Sequence, residues 1–454
     1  MVKRLFGTDG VRGVANADLT PELSFALGRA AGAVLAQRTG KERPRLLIGR
    51  DTRASGPMLE AALAAGANSA GVDCDLAGVL PTPGVAYLTR AKGYDGGVVI
   101  SASHNPVEDN GIKFFSAGGF KLSDDEEAAI ERAVHEILKG NDDLARPTGA
   151  GVGTQRQAGD AAEEYIAFLT GQFPLDLSGL RIAVDCGNGA ASRIAPEVLR
   201  RLGAEVTVYH AEPNGVNINV GCGSTHPAVI CQAVKETGAD LGFTYDGDAD
   251  RMLAVDERGQ LVDGDHILAI LASDMMERGV LRNRKIAATP YSNLGLRLAL
   301  EAIGASVVET AAGDRHVLEA MRKLDLVLGG EQSGHIILLE RNTTGDGLLT
   351  GLALLDVLKR RRVPLSTLAG VMKRYPQILE AVRVADKEAF RGNQAIQEEV
   401  RAAEAAIGGR GRIFVRPSGT EPVIRVMAEG EDEAAVRAAV QRVVDVIRRE
   451  LGDA

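Results

Sequence analysis

Gly96-Gly97-Val98-Val99-Ile100-Ser101-Ala102-Ser103-His104-Asn105-Pro106 opens as an unbroken β-branched apolar run and stops at hydroxyls, a histidine and a helix-breaking Asn-Pro. A short run without polar alternation reads as a buried strand, the kind found in α/β sheets. In such folds the loops at strand carboxyl ends build the sites. Ser103 therefore reads as a nucleophile presented at a strand's end.

Outward from this run the pattern recurs. Segments 45–49, 97–101, 181–185, 241–245 and 326–329 read as buried strands, and the spacing predicts helices over 22–37, 58–70, 124–138, 191–202, 268–276, 294–302 and 348–359. A polar stretch rich in Gly and Thr, 146–159, reads as a linker or long hairpin, with further boundaries near 256–259 and after Pro376. The last block differs. It reads as strand 379–384, helix 388–406, strands 412–416 and 423–429 and helix 431–451, an α+β order with helices on one face of an antiparallel sheet. No internal repeat is evident by eye.

At 454 residues the chain is too long for one ordinary domain, and length alone implies roughly three or four. Its 45% hydrophobic and 25% charged residues are those of an ordered globular protein. A formal charge of −9, no Trp and 4% aromatic residues argue against nucleic acid and anionic membrane as partners. An anionic substrate then needs local basic clusters. The N-terminus has no apolar stretch of the secretory kind and no run reaches membrane-spanning length. Cys74, Cys186, Cys222 and Cys231 lack metal-site spacing and read as buried reduced thiols. A cytoplasmic location is the expectation.

Asp246-Gly247-Asp248-Ala249-Asp250-Arg251 places three carboxylates at alternate positions directly after the predicted strand 241–245. Like charges so close repel, and a bound divalent cation compensates them. Three protein ligands point to Mg²⁺, which keeps positions for a phosphate or water. An EF-hand is the decoy, with Glu257 as its twelfth position; it fails because Arg251 stands where Gly is needed and a strand precedes the loop. Arg416-Pro417-Ser418-Gly419-Thr420-Glu421-Pro422, with Arg425 following, combines hydroxyls, a glycine and guanidinium groups suited to a phosphate; a plain hairpin turn is the alternative. Gly330-Glu331-Gln332-Ser333-Gly334-His335 offers side chains that can meet sugar hydroxyls. Gly7-Thr8-Asp9-Gly10-Val11-Arg12-Gly13, Lys113, and the charged clusters 50–53 and 314–316 are ambiguous alone. Since each block contributes one such loop, a shared cleft is the economical reading.

These motifs, in this order, resemble the α-D-phosphohexomutase superfamily, and most closely its bacterial phosphoglucosamine mutase branch, from Phe6-Gly7-Thr8-Asp9-Gly10 to the last block. The resemblance implies three related α/β domains with mixed sheets plus a smaller C-terminal α+β domain around a central cleft, drawn here at 1–157, 158–256, 257–370 and 371–454. It implies that Ser103 carries phosphate, and that Asp246, Asp248 and Asp250 hold one Mg²⁺ with an oxygen of phosphorylated Ser103. Glu331 and Ser333, with His335 beside them, would meet the sugar. Arg416, Ser418, Gly419, Thr420 and Arg425 would hold the phosphate not being transferred, and Arg12, Lys113 and Arg251 would be active-site cations. The implied reaction interconverts glucosamine 6-phosphate and glucosamine 1-phosphate through the 1,6-bisphosphate, which also serves as activator, supplying UDP-N-acetylglucosamine and cell-wall synthesis. A homodimer binding small sugar phosphates is the expected assembly. Lys113 is the first candidate base, provided that burial among cations lowers its pKa, and His104 the second. Gln332 favours the glucosamine branch. His316 departs from it, since Tyr is usual there. A phosphomannomutase or phosphoglucomutase, a Mg²⁺ phosphatase using Ser103 and a non-catalytic sensor are the rival readings.

Overall fold

The structure, a computed structural model, describes residues 5–7, 9–418 and 423–452. The first sheet contains β1 (Val11–Val14), β2 (Arg45–Arg50), β3 (Asp73–Val79), β4 (Gly96–Ile100), β5 (Asp109–Ser116) and β6 (Gln155–Gln157), in the order β1-β5-β4-β2-β3-β6. The opening apolar run is β4. Val98 and Ile100 pack with Leu27, Leu59 and Leu63 of helices Pro21–Thr39 and Gly56–Ser69, while Val99 faces a second core with Val85 and Leu88 of helix Thr82–Ala91. Both strand faces are covered, which is why the run lacks polar alternation.

The second sheet holds β7 (Arg181–Asp185), β8 (Glu205–Tyr209), β9 (Leu241–Tyr245), β10 (Met252–Asp256) and β11 (Leu261–Val262), ordered β11-β10-β9-β7-β8. The third holds β12 (Lys285–Ala288), β13 (Ser306–Glu309), β14 (Leu328–Gly330) and β15 (Ile336–Leu338), ordered β13-β12-β14-β15. The relatedness of the three α/β domains that the resemblance implies, not visible by eye in the sequence, is displayed here by strand order. In each sheet a central strand (β2, β7, β12) pairs in parallel with the next strand on one side and with the one after that on the other. That third strand (β4, β9, β14) then turns back into an antiparallel partner (β5, β10, β15). The Ser103, Asp246–Asp250 and Glu331–His335 segments occupy this same turn in the three sheets. One apolar core runs continuously through all three.

The fourth sheet, β16 (Gln377–Arg383), β17 (Arg412–Pro417) and β18 (Val423–Glu429), is antiparallel in the order β16-β18-β17, with helices Gln394–Ile407 and Glu433–Leu451 sharing its separate core. This matches the α+β expectation. The single helix expected over 388–406 is corrected: a short 3-10 turn ends at Gly392, and Asn393, with its side chain accepting from the Ile396 N–H, starts the helix at Gln394. The 146–159 stretch is likewise only partly a linker, because β6 extends the first sheet beside β3. By contrast, the helix expected over 124–138 is found at Asp124–Leu138, where Ser123 and Glu126 form a capping box. The strand placed at 326–329 lies at Leu328–Gly330. All four cysteines are free thiols; Cys231 is half-buried rather than buried. No helix among the described residues is long and apolar enough to cross a membrane.

Candidate active site

Ser103 lies in the turn from β4 to β5 and is 1% exposed. Its Oγ donates to Asp246 Oδ2 at 2.6 Å, joining the first repeat's turn to the second's. Carboxylate oxygens of Asp246, Asp248 and Asp250 lie within 4.8 Å of one another, and all three side chains are buried. Asp248 Oδ2 accepts from Thr82 Oγ1 at 2.6 Å and from Lys113 Nζ at 3.0 Å, and Asp246 Oδ1 from the Arg251 N–H at 3.2 Å. Asp248 Oδ1 and Asp250 Oδ1 are buried without a hydrogen-bond partner among the described residues.

The electrostatics follow from this crowding. Burial, then repulsion by Asp250 and Asp248, holds the Asp246 carboxyl well above the usual carboxylate range. Asp250 is raised by burial and then by Asp248. Asp248 moves down despite its burial, because Lys113 and the Thr82 hydroxyl favour its charge. Two raised carboxyls and two orphaned oxygens facing a serine hydroxyl fit a hard divalent cation, which would relieve the repulsion and use those oxygens. The EF-hand alternative stays excluded: Glu257 accepts instead from the Ser366 backbone N–H and hydroxyl.

One expectation is overturned. Lys113 is not buried among cations; it is 2% exposed and faces Asp248 at 3.0 Å, Asp9 at 3.2 Å and Asp250 at 3.9 Å. Burial alone would discharge it, but these carboxylates more than offset burial and push its pKa up. The lowered pKa on which its candidacy as base rested is therefore not found. His104 moves the other way, down to about 4, through burial and then the cations Arg251 and Arg12. Its Nδ1 lies 3.3 Å from Ser103 Oγ and 3.1 Å from Arg251 Nη1.

Arg12 pairs with Asp9 and donates to Asn105 Oδ1 at 3.3 Å. His335, 2% exposed, sets Nε2 3.9 Å from Asp250 and 3.6 Å from Asp314, with neither ring nitrogen hydrogen-bonded among the described residues. Ser333 Oγ donates weakly to Glu331 Oε2 at 3.4 Å, and the Glu331 charge acts on Arg251. Gly334 closes this loop at φ +90°, where an added Cβ would sit 2.2 Å from the Met252 carbonyl oxygen. Ser103, His104, Arg12, Lys113, Arg251, the three aspartates, Glu331, Ser333 and His335 thus form one connected cluster.

Arg416 donates through Nε to Tyr291 Oη at 2.6 Å, its guanidinium 5.1 Å above that ring. Arg425 stands directly opposite it across β17 and β18. Two facing cations suit a bound anion. The Ser418 carbonyl accepts from Lys387 Nζ at 2.7 Å. These contacts stay within the fourth sheet and its border with the third. Gly419 and Thr420 lie outside the described residues.

Sequence reasoning missed the acidic counterpart of the cations. Asp9 holds Arg12, Lys113 and Lys121 together, and Lys121 continues to Asp314 at 2.6 Å. The Gly-rich setting of Asp9 was a signal for it; nothing local marks Thr82 or Lys121. His316 points to Glu319 on its own helix and is 42% exposed. A second group with metal-ligand chemistry, Asp185, His210 and Cys222, is accounted for without an ion, since Asp185 accepts from the Gly187 and Gly223 N–H groups and lies 3.1 Å from His210 Nδ1.

Four family models match the chain: phosphoglucomutase/phosphomannomutase alpha/beta/alpha domains I (3–141), II (163–259) and III (263–375) and the C-terminal domain (379–446). The chain is 53% identical over 450 residues to the phosphoglucosamine mutase of Geobacillus kaustophilus, covering 99% of each. The chain belongs to the phosphoglucomutase/phosphomannomutase family. It is also 55% identical over 443 residues to the phosphoglucosamine mutase of Desulforudis audaxviator, covering 98% of this chain and 97% of that one. A solved family member from Burkholderia thailandensis superposes with a TM-score of 0.81 at 25% identity, covering 99% of this chain and 98% of that one. N-acetylphosphoglucosamine mutase of Aspergillus fumigatus, solved with GlcNAc-6P and magnesium, shares the fold at TM-score 0.69 and 19% identity, covering 98% and 95%. Membership in the phosphoglucomutase/phosphomannomutase family makes this chain a phosphate-transferring enzyme, and the three repeats correspond to that family's three alpha/beta/alpha domains.

Proposed function

We propose that the chain interconverts glucosamine 6-phosphate and glucosamine 1-phosphate, with Ser103 as the phosphate carrier. The observation that carries the site reading is Ser103 Oγ at 2.6 Å from a buried carboxylate triplet. The amino-sugar substrate is supported by 53–55% identity to phosphoglucosamine mutases over nearly the whole chain. The domain borders we propose are 1–157, 158–256, 257–370 and 371–454, and cytoplasmic operation fits four unpaired thiols.

In the first transfer, O1 of glucosamine 6-phosphate attacks phosphorylated Ser103. The P–Oγ bond breaks, the P–O1 bond forms, and the O1 proton leaves to a neighbouring group or water. Glucosamine 1,6-bisphosphate then turns over in the cleft. Ser103 Oγ, which took up a proton on losing its phosphate, gives one up as it attacks the 6-phosphate; the P–Oγ bond forms, the P–O6 bond breaks, O6 gains a proton, and glucosamine 1-phosphate remains. Phosphoryl transfer needs mainly alignment and charge neutralisation. Arg12, Lys113 and Arg251 supply positive charge around Ser103. Asp246, Asp248 and Asp250 would hold Mg²⁺ together with a phosphoserine oxygen; bound there, it neutralises charge developing on the transferred group. Glu331, Ser333 and His335 would orient the sugar in either direction. Arg416, Ser418 and Arg425, with Gly419 and Thr420, would grip whichever phosphate is not being transferred.

Ser103→Ala should abolish turnover without loss of fold, and intact mass should show one phosphate on the wild type after incubation with a sugar 1,6-bisphosphate and none on the variant. Substantial mutase activity in Ser103→Ala would sink the reading. Comparing kcat/KM for glucosamine, glucose and mannose 6-phosphates decides between the amino-sugar reading and a hexose mutase, and steady phosphate release would mark a phosphatase.

A further inference from the structure

The charged run 50–53 lies beneath the Ser103 turn. The Arg53 side chain is fully buried. Its Nε donates to Asp51 Oδ2 at 3.0 Å, its Nη2 to the carbonyl oxygens of Ser103 at 3.1 Å and Asn105 at 2.9 Å, and its Nη1 to that of Pro106. The amide side of Ser103 is tied into the same network. Its N–H donates to Ser101 Oγ at 2.9 Å, and that hydroxyl donates to Asp51 Oδ2 at 2.6 Å. From the second repeat, Asn219 Nδ2 donates to the Ser103 carbonyl at 2.9 Å and more weakly to that of Asn105 at 3.4 Å.

This network surrounds an unusual backbone. Ser103 has φ +54°, a left-handed conformation that a residue with a Cβ rarely adopts and that persists only where its surroundings over-determine it. The metal-candidate loop presses on the same carbonyl: a Cβ on Gly247 would lie 2.4 Å from Ser103 O. A buried guanidinium has five N–H donors to satisfy, and Arg53 meets that need with three carbonyls of this one short turn beside Asp51, so the contacts that let it be buried also fix the turn's shape. Only a planar fork can address these carbonyls together, so lysine is no equivalent.

We infer that Arg53 and Asn219 are positioning residues for phosphoryl transfer, holding the Ser103 turn left-handed so that Oγ faces the Asp246–Asp250 triplet in both half-reactions. This rests on the reading of Ser103 as the phosphate carrier. The two reach Ser103 from different repeats, so the alignment of the nucleophile depends on the seam between them. Sugar and non-transferred phosphate are assigned to groups on the third and fourth sheets. Loss of positioning therefore falls on kcat and leaves KM in place.

The test compares full-length wild type, Arg53→Lys, Asn219→Ala, the double variant and Ser103→Ala in Mg²⁺ with glucosamine 6-phosphate, after loading with glucosamine 1,6-bisphosphate. Misplacement of a reacting atom by about 1 Å costs on the order of 100-fold in rate, the loss expected in kcat for Arg53→Lys at unchanged KM. Asn219→Ala should lose roughly tenfold, the equivalent of one hydrogen bond. Because both side chains hold one carbonyl, the double variant should lose less than the product of the single losses. Circular dichroism melts check folding, and where Arg53→Lys does not fold, Asn219→Ala alone decides. Wild-type kcat in the folded variants, or a loss confined to KM, overturns the inference. A Ser103→Ala enzyme that turns over overturns the carrier reading instead. An inactive Ser103→Ala beside fully active positioning variants overturns only the inference.

Discussion

Arg412→Ala probes how the phosphate-gripping sheet is seated on the third repeat. Glu429 is completely buried and accepts from Arg412 Nε at 2.6 Å, the Leu294 N–H at 2.9 Å and Gln377 Nε2 at 3.2 Å. Arg412 Nη2 meanwhile donates to the carbonyl oxygens of Pro290 at 2.8 Å and Ser292 at 2.9 Å. The pair is therefore a latch between the fourth sheet and the loop that carries Tyr291. Removing one partner of a buried ion pair costs about 3–5 kcal/mol, because the other charge stays buried without compensation. Arg412 is 17% exposed, so some water can reach the gap, which places the expected loss near the lower end, about 3 kcal/mol. The outer contact with Glu309, itself 42% exposed, adds at most about 1 kcal/mol. Calorimetry should show the transition of the last block lowered by on the order of 15 °C, with a raised KM because Arg416 shares β17 with Arg412. Arg412→Ala/Glu429→Gln should recover roughly half of the lost stability, since the amide oxygen still accepts from Leu294 without a buried charge. A shift below about 1 kcal/mol in the single variant, or no recovery in the double variant, would refute the latch.

Tyr291→Phe keeps the ring beneath Arg416 but removes the 2.6 Å hydrogen bond. A loss of about 1 kcal/mol should raise KM for sugar phosphate roughly fivefold at nearly constant kcat, and steady-state kinetics checks the split. Mg²⁺ at about 100 times its Kd should stabilise the protein by about 2.7 kcal/mol, visible as a higher melting temperature than in EDTA; equal melting temperatures would contradict the cation site. Asp265 supplies the pH dependence. Burial, then repulsion by Asp263, raises its carboxyl to about 7, against about 3.9 in an unfolded chain. Between these values only the folded state keeps the proton, so stability falls as pH rises through that window, and a penalty of about 4 kcal/mol persists above it. Asp265→Asn should therefore raise the urea midpoint over wild type at pH 8 and not at pH 4.

The fold was legible wherever local chemistry determines it. A continuous Val-Val-Ile run needs two covered faces, and alternating strands and helices imply α/β. Of the candidate site, the meeting of Ser103 with the Asp246–Asp250 triplet was expected from residue type and strand-end position, whereas the Arg416 segment left a plain hairpin turn open. The repeat was not legible by eye, since strand order is a property of pairing between segments far apart in sequence. The charge state of Lys113 also lay beyond local reading. Its neighbours along the chain are apolar, and its pKa is set by carboxylates from the Gly-rich N-terminal loop and the second repeat.

Sequence alone thus indicated the α/β and α+β blocks and named the candidate residues for the chemistry, because propensity, burial pattern and side-chain type are local properties. Tertiary structure alone decided the strand order that the three sheets share, that carboxylates rather than cations face Lys113, and that Ser103 is held left-handed from two repeats. Each of these depends on distances between segments far apart along the chain, as in the 50 residues separating Arg53 from Ser103 and the 116 separating Ser103 from Asn219, and electrostatic and hydrogen-bond energies follow distance in space rather than along the chain.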